Sequence, residues 1–263
     1  MLKFVIDKFF PILFTLHSSL FTVIYHMGKA GSHLETILRP VAHIENDFRG
    51  KFGIPRQSGL LPDMESAVVF EKEFRDPDAL RGLEGFSHLW LIWLFSESIR
   101  EGWSPTVRPP RLGGNRRVGV FAARSPFRPN PLGLSSVRLE RIEHTADRGD
   151  VLIVSGADLM NGTPIFDIKP YIRYTDSHPD AVSGFADGAE SYSLQVDCSE
   201  ELLSLIPERC RSTVLSMLSQ DPRPSYHTDE REYTMDYGSV SVTFTVEGGV
   251  LTVREVNELR ETK

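Results

Sequence analysis

The chain has 263 residues, 40% hydrophobic, 25% charged and 10% aromatic, the make-up of a globular protein that can bury one large core or two small ones. Its formal charge is -7, so any polyanion it meets must be met by a local concentration of positive charge. Cys198 and Cys210 are its only cysteines and form no CxxC, and the histidines show no HExxH spacing. A disulfide framework and a zinc site are excluded, and the free thiols fit a reducing, cytoplasmic setting.

The opening segment stands apart. Residues 9–25, FFPILFTLHSSLFTVIY, are uncharged and mostly apolar, but Pro11 and His17 interrupt a run already short for a bilayer span. His26, Met27 and Gly28 fit a signal-peptidase site poorly. We read Met27 as the start of the functional protein and residues 1–33 as an extension outside the fold, with a membrane anchor as the alternative.

From Glu35 onward, short apolar runs alternate with turn signals, which predicts a mainly β body. Strands are expected over 36–43, 67–70, 88–95, 118–122, 136–142, 151–155 and 165–171, enough to close a sheet. The run HLWLIWLF at 88–95 is apolar on both faces. It reads as a central strand or one buried at a subunit contact, with Trp90 and Trp93 in the core. No GxGxxG follows a strand, so a Rossmann cofactor domain is not indicated. Beyond about residue 180, Ser199 can cap a helix with Glu200 and Glu201 in its first turn, and Pro207 splits that helix. SVSVTFTV at 239–246, EGG, and LTVREV from Leu251 predict a hairpin. The expected organisation is a β domain over 34–184 followed by a small α+β appendage over 185–263.

Chemistry concentrates in loops. Between Arg100 and Arg128 lie seven arginines (Arg100, Arg108, Arg111, Arg116, Arg117, Arg124, Arg128) and a single acidic residue, Glu101. A guanidinium forks onto phosphate and stacks on bases, and the prolines and glycines between these arginines hold them on stiff turns. GKFGIPRQSGL at 50–60 displays Arg56, Gln57 and Ser58, able to read a heteroaromatic edge and a carboxylate. ARSPFRPNPLGLSS at 123–136 places two arginines and Asn130 rigidly after a strand. SGADLMNGTPIFDIKPY at 155–171 joins two candidate strands through an Asn161-Gly162 turn and carries Asp158 and Asp167, each a hydrogen-bond acceptor, a proton acceptor or a turn cap.

VAHIENDFRGKFGIPRQSGL, RGLEGFSHLWLIWLF, TVRPPRLGGNRRVGVFAARSPFRPNPLGLSSV and DLMNGTPIFDIKPY, in this order, resemble the TrmO (TsaA-like) tRNA methyltransferases, and DPRPSY at 221–226 extends the resemblance towards the C-terminus. The resemblance implies a single-sheet β-barrel working as a homodimer. It also implies S-adenosylmethionine-dependent methylation of the exocyclic amine of threonylcarbamoyl-adenosine beside the anticodon of tRNA. Carried over motif by motif, it puts Arg56, Gln57, Ser58, Ser96, Glu97, Arg124, Leu134, Ser155, Gly156, Ala157 and Asp158 at the cofactor.

The attacking amine nitrogen is a poor nucleophile whose remaining proton is acidified by the same delocalisation, so a carboxylate can assist as base. Asp158 and Asp167 are the candidates, with Asp167 assigned the catalytic role and Asn130 orienting the base. Arg111, Arg116, Arg117 and Arg128 are expected on the tRNA backbone, because unstacked anticodon bases can be splayed onto a protein surface. Two other readings stay open: a cofactor-free RNA-binding β-barrel, and a methyltransferase acting on a small molecule or a protein.

Overall fold

The computed structural model describes residues 37–109, 112, 116–187, 192–223 and 231–259. The apolar stretch at 9–25, the proposed start at Met27, Arg111, the turn at 113–115 and the last three residues of DPRPSY lie outside them. Residues Met1–Pro40 and Val41–Lys263 form two compact units, and the second is described below. It is mainly β, as expected.

Six strands make one sheet in the order β1-β2-β7-β6-β3-β8. They are β1 (Ala42–Glu45), β2 (Glu65–Phe70), β3 (His88–Leu94), β6 (Leu132–Thr145), β7 (Gly149–Ser155) and β8 (Pro164–Pro170). Every neighbouring pair is antiparallel, and the sheet closes on itself where β8 returns to β1 through Ala42↔Ile165 and His43↔Pro164. The segment expected as a seventh strand does otherwise. β4 (Thr106–Val107) and β5 (Val118–Gly119) form a separate two-stranded ribbon, and the chain then turns into a short 3-10 helix at Val120–Ala122. The first strand also starts later than expected and runs on to Glu45.

Alternation along β3 explains its double-sided hydrophobicity. Leu89, Leu91 and Trp93 are buried inside the ring. Trp90 points the other way and is only half-buried, so the expectation of a core tryptophan there fails. Its indole N–H donates to Asp176 Oδ2 at 3.0 Å, and its ring lies 5.6 Å from that of Tyr171. Asp176 ends α1 (Arg173–Asp176), so the segment after β8 covers this outer aromatic. The Asn161-Gly162 turn lies between β7 and β8, which do not pair with each other: β7 pairs with β2 and β6, whereas β8 pairs with β1 and β3. Instead Asn161 Oδ1 accepts from the Asn46 amide at 3.0 Å, tying the crossing to the end of β1.

The C-terminal part holds a four-stranded sheet in the order β10-β11-β12-β9. Its hairpin, β11 (Val240–Glu247) and β12 (Val250–Glu258), falls where alternation predicts. β10 (Tyr233–Tyr237) and the parallel β9 (Gln195–Asp197) are additions. Ser199 caps α2 (Glu200–Leu205) by accepting from the Leu202 amide, and Pro207 separates it from α3 (Glu208–Ser219), both as the sequence implies. One continuous core joins Ile44, Phe48 and Leu61 to Met217, Met235 and Phe244. Among the described residues no helix is long and apolar enough to cross a membrane.

Trp93 is accommodated because its cross-strand partner is Gly133. A Cβ there would sit 2.2 Å from the Trp93 ring. Gly133→Ala should therefore cost about 1–3 kcal/mol of stability through overpacking, read as a lower urea midpoint at unchanged slope.

Candidate cofactor and RNA site

β6 is long enough to serve two partners in succession. Its first half pairs with β3, and from Arg138 onward it pairs with β7. β7 stops at Ser155, opposite Arg138, so residues 132–137 of β6 run on past its end. Into that notch the chain delivers Gly156, Ala157 and Asp158. Gly156 adopts φ +76°, and a Cβ there would lie 3.2 Å from the Gly59 backbone. This close approach lets the Gly59 amide donate to the Gly156 carbonyl at 2.8 Å, docking the PRQSG loop onto the strand end.

Three motifs far apart in sequence meet here. Ser135, which faces inward on β6 and is buried, donates from Oγ to Asp158 Oδ1 at 2.5 Å. The Trp93 indole N–H donates to the same Oγ at 2.9 Å, so the hydroxyl is oriented at both ends. The Gln57 side chain accepts from Arg124 Nη1, and Arg124 also exerts an electrostatic pull on Asp158. Burial nevertheless holds the Asp158 carboxyl above its ordinary value of 3.8, against the Ser135 hydroxyl, the main-chain donors including Ser58, and the Arg124 charge. Ser58 thus meets Asp158 through its main chain.

The remaining expected residues divide. The Ser155 hydroxyl donates to Glu140 Oε1 at 2.5 Å, which leaves only its main chain for the notch. Gly156 and Ala157 are buried main chain beside Asp158. Ser96 and Glu97 form a 3-10 turn at the end of β3, where the Phe95 amide donates to the Pro131 carbonyl at 2.8 Å and Lys51 Nζ donates to the Glu97 carbonyl. Leu134 is 56% exposed and lies on the outer face of the ring. It pairs with Ile92, and Ile92 in turn pairs with Asp167, so the three make a row across β6, β3 and β8. The Asp167 carboxylate accepts from the Ile168 amide at 2.9 Å and from Lys169 Nζ at 2.8 Å. Within one chain it is therefore not beside Asp158. Asn130 is exposed, with its carbonyl accepting from Leu132 N at 2.7 Å. Arg56 Nη2 donates to the carbonyls of Asp221 and Arg223, both at 2.9 Å.

The cationic loops flank this notch in sequence. Arg116 is exposed, Arg117 is tied to Thr106 at 2.7 Å, and Arg128 donates to the Ala123 carbonyl at 3.2 Å. Arg100 rests 3.5 Å above the Phe127 ring. Trp103 and Phe121, 55% and 75% exposed, face each other with ring centroids 6.4 Å apart.

Sequence reasoning missed Ser135, Trp93's role in orienting it, Trp103 and Phe121. Ser135 lies just ahead of the strand expected at 136–142, so its inward position emerges only from the register with β3. As a donor set, the notch offers a carboxylate, a guanidinium, a carboxamide and main-chain amides within one cluster. That set fits a zwitterionic nucleoside with hydroxyl, ammonium and carboxylate groups, which is the chemistry of S-adenosylmethionine. Among the described residues no group of acidic, histidine or cysteine side chains is arranged to hold a metal.

Comparison with known proteins finds relatives over most of the chain. The family description tRNA-methyltransferase O N-terminal domain matches residues 43–177, and the corresponding C-terminal domain matches residues 191–259. A tRNA (adenine(37)-N6)-methyltransferase of Escherichia coli is 42% identical over 193 residues, covering 71% of this chain and 82% of the relative. A Pseudomonas aeruginosa protein named provisionally as an S-adenosylmethionine-dependent methyltransferase is 43% identical over 198 residues, covering 73% and 83%. The crystal structure of TrmO from Pseudomonas aeruginosa superposes with a TM-score of 0.67 at 32% identity, covering 84% of this chain and 98% of that one. The chain belongs to the tRNA-methyltransferase O family.

The raised Asp158 pKa has a sign that can be tested. A carboxyl whose folded value lies above its unfolded one gives its full stability below the ordinary value and loses it as pH climbs through the raised value. Ionised Asp158 thus weighs against folding at neutral pH. Asp158→Asn, which keeps an oxygen for Ser135, should unfold at a higher temperature than wild type at pH 7. The gap should close as pH falls below the ordinary value of 3.8, followed by calorimetry across pH.

Proposed function

We propose that this protein methylates the exocyclic amine of the threonylcarbamoyl-adenosine beside the anticodon of tRNA, with S-adenosylmethionine as donor. What supports it above all is the convergence of the PRQ loop, the Arg124 loop and the strand end at Asp158 on one notch, in a chain of this family. The closed six-stranded sheet is then the single-sheet barrel of that family, residues 34–184 its catalytic domain and 185–263 its appendage. The site of action is the cytoplasm.

Gln57 and Arg124, the main chain of Ser58 and of residues 155–157, and the Asp158 carboxylate would hold the cofactor, with Ser96 and Glu97 at its edge. Bound there, S-adenosylmethionine supplies an electrophilic methyl group on a sulfonium. Asp158, Ser135 and Trp93 form a prepositioned chain of hydrogen bonds, so the carboxylate needs no reorientation when it meets a donor. Leu134 and Asp167 face outward, so the active species is a homodimer in which that row meets the notch of the second copy. Asp167 then accepts the amine proton and Asn130 orients the base. A cofactor-free RNA binder would have no use for a half-buried carboxylate with oriented hydrogen-bond partners.

The tRNA meets the arginine loops. Arg116, Arg117 and Arg128, with Arg111, take backbone phosphates, while the exposed Trp103 and Phe121 rings provide stacking faces for an unpaired base.

Mass spectrometry of tRNA nucleosides from cells with and without the gene should show the methylated nucleoside only when it is present. Asp167→Asn should lower turnover about a hundredfold or more with cofactor affinity intact, the size of lost base catalysis; unchanged turnover removes Asp167 from that role. Replacing Arg116 and Arg117 by alanine should weaken tRNA binding and flatten its log–log salt dependence by about 1.4, the counterions of two single-stranded phosphates. An anticodon stem-loop should quench tryptophan fluorescence in wild type but not in Trp103→Phe, since Trp93 is buried and Trp90 half-buried.

A further inference from the structure

Asp221 combines three unusual properties. It is a non-glycine residue at positive φ, +52°, it is only 7% exposed, and it carries a charge. Aspartate tolerates the left-handed region better than most residues, but a buried one there persists only if its surroundings hold it. They do so closely. Arg223 forks onto the Asp221 carboxylate, Nε to Oδ1 at 2.8 Å and Nη2 to Oδ2 at 3.0 Å, and the Tyr192 hydroxyl donates to Oδ2 at 2.9 Å. Burial works against the charge, and the Arg223 and Tyr192 donors outweigh it, so the carboxyl titrates below its ordinary value.

This locked turn, which follows α3, is spent on something outside the C-terminal sheet. It aims the carbonyls of Asp221 and Arg223 at one nitrogen of Arg56, and next to it Gln220 Nε2 donates to the Leu60 carbonyl at 2.7 Å. The turn thus grips both ends of the short stretch 56–60. Between the two grips lie Gln57, Ser58 and Gly59, which meet Arg124, Asp158 and Gly156 respectively. A loop pinned at both ends loses less entropy when a ligand orders it.

We infer that the turn at 220–223 is a clamp that sets the cofactor loop, and that Arg56 is a positioning residue carrying that loop. The inference rests on the cofactor site proposed above. It gives the C-terminal part a share in the barrel's cofactor affinity, independent of any contact it makes with RNA.

The test uses the full chain without RNA, with S-adenosylmethionine titrated calorimetrically and amide exchange followed in the free protein. Arg56→Ala and Arg223→Ala should each weaken cofactor binding about tenfold, as for loss of a charge-assisted hydrogen bond, and the double variant should be no weaker than the worse single one. The Gly59 amide should exchange faster in all three while the slowest amides of β11 keep their protection, which a merely structural loss would not produce. Tyr192→Phe removes a single hydroxyl from the lock and should weaken binding about two- to threefold, a check that does not depend on Arg223→Ala folding. Wild-type affinity and Gly59 protection in the Arg223 and Tyr192 variants would overturn the clamp, as would losses that multiply in the double variant. Wild-type protein that binds no S-adenosylmethionine would instead overturn the cofactor site, and the exchange of Gly59 would still decide whether the clamp holds the loop.

Discussion

A carboxylate at the mouth of a closed β-sheet needs polar partners that the hydrophobic wall of the sheet does not supply by default. Asp158 finds one in Ser135, an inward-facing hydroxyl on β6, and Ser135 is itself held by the Trp93 indole. That short chain of hydrogen bonds constrains much else. Trp93 can lie inside the ring only because Gly133 opposite it has no side chain, and Asp158 can reach inward only because β7 ends at Ser155 while β6 continues. The notch is thus a consequence of unequal strand lengths, and its polarity is a consequence of one serine in an apolar alternation.

Charge is distributed on the same logic. A net charge of -7 would repel RNA if it were spread evenly, yet the stretch from Arg100 to Arg128 holds seven arginines against one acid. Some of these cations are spent internally: Arg117 ties the β4–β5 ribbon through Thr106, and Arg100 covers Phe127. Such contacts fix the loops on which the exposed Arg116, Trp103 and Phe121 are displayed. Rigid placement is what stacking and bidentate phosphate contacts need, and steering by a local positive field tolerates an acidic body.

The strands of the ring were largely legible because period-two alternation and turn residues are local signals. So were the split helix at Pro207 and the β11–β12 hairpin. What the sequence could not convey was partnership. The stretch 118–122 has strand-like composition, but it pairs with Thr106 and Val107 in a ribbon of its own. Trp90 looks like a core residue until α1 and Tyr171 are seen to cover it from outside. Asn161-Gly162 joins two strands as expected, yet those strands belong to different neighbours. For the site, Gln57, Arg124 and Asp158 were found by motif and do meet. Leu134 and Asp167 were found in the same way, and the register puts them on the opposite face of the sheet. Face is set by strand pairing, which no short motif encodes.

The division of labour between the two parts of the chain follows from where each can store order. A ring of short strands defines its interior well but its rim poorly, since the connecting loops have few neighbours of their own. Here the loop at 56–60 is fastened from outside the ring, by a turn whose own unfavourable φ is over-determined by a buried ion pair and a tyrosine hydroxyl. The turn follows α3, whose Met217 shares one continuous core with Met235 and with Phe48 of the ring side. The loop at 56–60 is thereby fastened without lengthening any strand.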